Sequence, residues 1–130
     1  MGVPEAGADG GEAVIAHVVL FRPRAGLDQA AGRALLEAIE ATPGQVASVR
    51  RLWVGRRVEP APTYLLGQMP DFPFASVIEF DDRAGLEAYL AHPWHAEISR
   101  RFYAVVESAQ AFDFETADAR AAAAWLAPPS

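Results

Sequence analysis

Residues 89–95 read YLAHPWH and bring Tyr89, His92 and His95 into one short stretch. A neutral imidazole suits proton removal from a carbon acid, because its reference pKa of about 6.5 lies near working pH. A phenol O–H can donate to the enolate oxygen that results. His95 and Tyr89 therefore have the residue types of an acid/base pair. Each also has a structural alternative. His95 follows Pro93 and could cap a helix; Tyr89 could be a core aromatic with a satisfied hydroxyl. His17, flanked by apolar residues in VIAHVVLF, could equally be a satisfied core histidine. His92 ends a helix, where positive charge is favourable, and reads as structural. Pro93 breaks the helical relation between His92 and His95, so convergence of imidazoles on a metal is not expected.

The remaining chemistry is narrowed by what the chain lacks. It has 130 residues, no cysteine, and 11 basic residues that are all arginine. Thiolate nucleophiles, disulfides and a lysine Schiff base are excluded together. No G-x-S-x-G, P-loop or dinucleotide fingerprint is present. A net charge of −6 without a basic run disfavours nucleic acid as a partner. The sequence contains no uninterrupted apolar stretch of membrane-spanning length and no signal peptide, so no membrane role and a cytoplasmic location are expected. The pairs Arg50-Arg51 and Arg56-Arg57 split between the faces of one strand, as solvated edges or as a hold on a carboxylate or phosphate.

The elements that must position these residues are legible in the periodicity. Residues 1–12 have turn-forming composition and are expected to be a disordered tail. One domain spans 13–116, and 117–130 form a C-terminal extension. AVIAHVVLFRP is a buried strand, and the stripe Leu27, Ala31, Ala34, Leu35, Ala38, Ile39 marks a helix stopped by Pro43-Gly44. QVASVRRLWVGRRV is a second strand, followed by an apolar loop, EPAPTYLLGQMPDFP. FASVIEF is a third strand, Asp81 or Asp82 caps the helix after it, and a further helix follows Pro93. AQAFDFE is the last strand, and the alanine-rich end forms a short helix before Pro128-Pro129. The order is β-α-β-β-α-β, the ferredoxin-like split pattern, with helices on one face of the sheet. The other face is expected to carry Ile15, His17, Val19, Phe21, Phe74, Ser76, Ile78 and Phe80. It is too apolar for water, so a homodimer with two sheets face to face is expected.

Three segments, HVVLFRPR, FASVIEFDDRAGLEAYLAHPWH and FDFE, occur in this order between His17 and Glu115. They resemble the stress-responsive dimeric α/β-barrel (Dabb) family, and within it polyketide cyclases of the olivetolic acid cyclase type. The resemblance implies an α+β, ferredoxin-like domain that pairs into a dimeric α/β barrel. It implies an aldol-type cyclisation in polyketide biosynthesis, without metal or cofactor, on a hydrophobic small molecule. His95 falls on the catalytic base, Tyr89 on its tyrosine partner, and His17 on the first-strand histidine. Val19, Phe21, Phe74, Ser76, Ile78, Ile39, Ala109 and Ala111 fall on the implied substrate pocket. Ile39 replaces a tyrosine of those cyclases, Phe74 a histidine, and Ala109 and Ala111 larger aliphatics. The loop before the third strand is longer. These departures imply a polycyclic ligand, larger than one ring, with the loop as its lid. Two other readings stay open: a non-catalytic dimeric stress domain that binds a hydrophobic ligand, and a cofactor-independent monooxygenase.

Overall fold

The computed structural model describes residues 14–58 and 71–127. The β-branched run after Val14 forms strand β1 (Ile15–Pro23). Asp28 accepts from the Ala30 amide at 3.1 Å and starts helix α1 (Gln29–Gln45). Strands β2 (Val49–Arg56) and β3 (Phe74–Phe80) follow. The next crossover is split into α2 (Arg83–Ala91) and α3 (Pro93–Val105), and β4 (Val106–Glu115) completes the sheet. A short α4 (Ala119–Ala122) and a 3-10 turn over Ala123–Leu126 lie beyond it. No helix among the described residues is long and apolar enough to cross a membrane.

Three boundaries differ from expectation, one of them the start of β2 at Val49 rather than Gln45. Helix α1 runs through Pro43 to Gln45. A proline in the last turn forfeits one backbone bond, and the Val46 amide still closes on the Thr42 carbonyl at 2.9 Å. Strand β4 begins at Val106, three residues earlier than the AQAFDFE pattern suggests, because Val105 and Val106 are both buried where α3 turns into the sheet. Most of the expected lid, with Tyr64, Leu65, Leu66 and Met69, lies outside the described residues.

The antiparallel ladders run in the order β2-β3-β1-β4, the ferredoxin-like arrangement. Their registers align side chains in rows across all four strands. Leu52, Ile78, His17 and Asp113 form one row; Val54, Ser76, Val19 and Ala111 form the next on the same face. That face packs on the helices. Phe21 clusters with Leu35 and Val105, and Ile78 and Phe80 cluster with Leu86 and Tyr89. Phe80 is fully buried, which stabilises the fold by about 1.5–3 kcal/mol relative to leaving it in water.

The expected assignment of faces is thereby corrected. Ile15, His17, Val19, Phe21, Phe74, Ser76, Ile78 and Phe80 lie under the helices, not on the open face. The open face carries the row Trp53, Val77, Val18 and Phe112, with Leu20, Ala75 and Phe114 beside it. Both faces of β1 and β3 are apolar, so alternation separates two sets without saying which set meets the helices. Trp53, Phe112 and Phe114 are 42 %, 45 % and 52 % exposed.

Candidate active site

Between the sheet and helices α1, α2 and α3 lies a cavity of about 310 Å³. An apolar cavity of roughly 150 Å³ suffices for benzene, so more than one ring can be held here. His17, Tyr89 and His95 all line it. So do Val19, Phe21, Ser76 and Ile78 from the sheet, Ile39 from α1, and Ala109 and Ala111 from β4. Phe74 does not; its ring stacks on Phe21 at 5.7 Å, behind the cavity wall. Ala109, Ala111 and Tyr103 line the cavity and are also solvent-exposed, so its mouth opens beside β4.

Three side chains form an aromatic series. Tyr89 lies between the two imidazoles, edge-on to His17 at 5.8 Å and to His95 at 4.9 Å between ring centres. Tyr89 is 2 % exposed. Burial pushes its hydroxyl up to about 12, so it stays a protonated donor across the neutral range. His95 is held below the usual histidine value, first by burial and then by the nearby His17 ring. It is therefore a neutral acceptor at neutral pH. The site thus holds its phenol protonated and its imidazole neutral.

Local structure explains these positions. Asp82 starts α2 by accepting from the Gly85 amide at 2.8 Å, and the Ser48 hydroxyl donates to the Gly85 carbonyl at 2.9 Å. A Cβ at Gly85 would stand 3.3 Å from Phe80 Cβ and 3.4 Å from Ser48 Cβ. Glycine lets α2 approach the sheet closely enough to sink Tyr89. His92 ends α2 and caps α3, its Nδ1 accepting from the Trp94 amide at 2.9 Å. The capping role belongs to His92, which leaves the His95 ring in the first turn of α3 free to face the cavity. Trp94 donates through Nε1 to Thr42 Oγ1 at 3.1 Å, and Thr42 donates to the Ala38 carbonyl at 2.8 Å. This chain pins the start of α3 to α1.

One polar member escaped the sequence reading. Asp113 stands directly opposite His17 across the β1–β4 ladder, and its Oδ1 lies 2.6 Å from His17 Nδ1. The side chain of His17 is 11 % exposed and that of Asp113 43 %. The carboxylate accepts from Nδ1 and leaves Nε2 as the free ring nitrogen of His17. FDFE carries part of the signal: alternation sets Asp113 opposite Phe112 and Phe114, and the β1–β4 register then brings it onto the face of His17. Leu35, Leu52, Ile98, Ser99, Phe102 and Tyr103 also line the cavity. The periodicity of Leu35, Ile98 and Phe102 on helices and of Leu52 on β2 marks an inward face without distinguishing cavity from core. Among the described residues, no three metal-ligating side chains cluster.

Comparison with known proteins agrees with this geometry at the level of fold. The family model described as the stress responsive A/B barrel domain (Dabb) matches residues 15–116. A dimeric protein of ferredoxin-like fold and unknown function from Bacteroides fragilis is 25 % identical, with a TM-score of 0.61 over 79 % of this chain and 96 % of that one. Hydroxynitrile lyase from Passiflora edulis is 14 % identical, with a TM-score of 0.68 over 82 % and 96 %. SnoaB, a cofactor-independent oxygenase from Streptomyces nogalater, is 12 % identical, with a TM-score of 0.59 over 80 % and 93 %. No curated protein is significantly similar to the sequence.

Proposed function

Since the chain belongs to the stress-responsive A/B barrel family, we propose that it is a polyketide cyclase-like enzyme. It uses His/Tyr acid–base chemistry to close a polyketide-like or polycyclic aromatic small molecule by an aldol-type step. The observation that carries this reading is the contact of a neutral His95 with a protonated, buried Tyr89 inside an apolar cavity. The unprotonated ring nitrogen of His95 takes a proton from a carbon flanked by carbonyls. The electron pair moves onto oxygen, where the Tyr89 hydroxyl donates to the enolate. The enolate carbon then attacks a second carbonyl of the same molecule, forming the ring C–C bond. The imidazolium returns its proton to the new alkoxide, so His95 ends as it began. His17, oriented by Asp113, offers a second polar contact to the substrate.

The test is exchange of the acidic C–H of an aryl 1,3-diketone in D₂O, followed by proton NMR. The native chain should accelerate exchange over His95→Ala by about 10²–10⁴-fold, the usual contribution of a general base. Equal rates would overturn the reading and leave ligand binding alone. Oxygen uptake with the same probe would redirect the carbanion to oxygenation, the activity named for SnoaB.

The same proposal includes a homodimer closed through the helix-free sheet face. In its apolar row of Trp53, Val77, Val18 and Phe112, Val77 is buried, but Trp53 and Phe112 stay exposed among the described residues. The relative from Bacteroides fragilis is described as dimeric. Light scattering that returns only the 14.0 kDa monomer would sink this assembly.

A further inference from the structure

The chain beyond Thr116 lies outside the family match and ends in an apolar tip. Its root is fixed: the Thr116 amide and hydroxyl both donate to the Val14 carbonyl, at 2.9 and 2.7 Å. Asp118 caps α4 by accepting from the Ala121 amide at 2.7 Å, and the 3-10 turn then presents Trp125 and Leu126. These two are 55 % and 88 % exposed. No residue from Ala119 to Ala127 is buried. Helices shorter than about 12–15 residues are marginal alone in water. An arm this short, with an exposed tryptophan, needs a surface that the described residues of its own chain do not supply.

A groove of about 690 Å³ beside the arm's root has the matching chemistry. Ile15, Leu86, Leu90 and Phe114 give it apolar lining, and its four carboxylates, Asp82, Glu87, Asp113 and Glu115, outnumber its one cation, Arg83, which pairs with Glu87 at 3.6 Å. The arm carries Arg120, which has no ion-pair partner among the described residues. Strand β4 places Phe112 and Phe114 on the open sheet face and runs directly into the arm.

We infer that the arm of one protomer docks in this groove of a second copy. Trp125 and Leu126 lie on the apolar lining, and Arg120 faces the carboxylates. The inference rests on the homodimer reading and extends its interface beyond the sheets.

The full chain labelled with 5-fluorotryptophan gives a fluorine resonance for Trp125, assigned by loss in Trp125→Phe. Its broadening by a soluble gadolinium chelate is read in the dimer and after dilution to monomer. Trp125 should be protected in the dimer and exposed on dilution. The full-chain double variant Trp125→Ala, Leu126→Ala should raise the dimer dissociation constant roughly tenfold or more, as removal of buried anchors does. Leu90→Asp on the receiving side should do the same, with circular dichroism unchanged. A dimer in which Trp125 stays exposed, or variants that dimerise like the parent, would overturn arm docking and leave sheet pairing intact. Protection that persists in the monomer would also overturn it, by placing the arm on its own chain. A chain monomeric at every concentration would remove both readings.

Discussion

Asp113 and His17 face each other across the β4–β1 ladder, carboxylate oxygen to Nδ1 at 2.6 Å. This contact fixes which nitrogen of His17 is left for the cavity. Asp113→Asn should shift the tautomer balance of His17, read from imidazole nitrogen chemical shifts in NMR. Turnover should fall by less than the roughly 10²–10⁴-fold loss expected of a direct acid–base group. An unchanged tautomer with unchanged rate would reduce the pair to a strand-edge contact.

Tyr89→Phe keeps the ring that packs on Phe80 at 5.5 Å and on His95. It removes only the hydroxyl that would meet the enolate. Melting temperature should stay close to the parent value, while kcat falls by about 10–10²-fold, the range for one hydrogen bond to a charged oxygen at 1.5–3 kcal/mol. A large loss of stability with full activity would make Tyr89 a core residue.

The pH dependence has a definite sign. His95 must be neutral to act, and burial followed by repulsion from His17 holds it below 6.5. The acid limb of kcat/KM should therefore fall below 6.5, with activity lost as pH drops through it. His17→Asn removes the second cause and should move the limb upward, still below 6.5 because burial remains. Between the lowered folded value of His95 and 6.5 the unfolded chain binds the proton more readily, so acid also weakens the fold. Tyr89 acts at the other end. Raised from 10.0 to about 12, it loses its proton more readily in the unfolded chain. Stability should decline as pH rises through that interval, with melting followed alongside tyrosinate absorbance.

Thr42 is fully buried and joins α1 to α3 by accepting from Trp94 and donating to the Ala38 carbonyl. Thr42→Val conserves volume but leaves the indole N–H without its acceptor, a cost of about 1–3 kcal/mol. Urea unfolding measures it. A change near zero would show that the indole finds another acceptor.

Ala109 and Ala111 line the cavity where it meets solvent. Ala109→Leu with Ala111→Ile should narrow that side and weaken binding of a bicyclic aromatic more than a monocyclic one, read by calorimetry. Equal effects on both would remove these alanines from the selectivity of the cavity.

The family segments and strand order were legible because turn residues, caps and periodicity agree along β1, α1, β3 and α2. In YLAHPWH the residue types left pocket and structural readings of Tyr89 and His95 open; both line the cavity, and His92 caps α3 through an accepting Nδ1 rather than by a charge at the end of α2. The face of β1 was not legible, since Val18 and Val19 are equally apolar and only the helical crossover decides which lies inside. Asp113 was passed over because its partner is 96 residues away and appears only when β4 is set in register. The expected lid could not be weighed in the same way, because Tyr64, Leu65, Leu66 and Met69 lie outside the described residues.

Along β1, His17 and Val19 meet the cavity, while Val18 and Leu20 meet the open face. In the proposed homodimer, adjacent codons of one strand would therefore answer to different constraints. Substitutions at odd positions would reshape the cavity while the even positions kept the sheet face that meets the partner. Chemistry could then diversify here without renegotiating assembly.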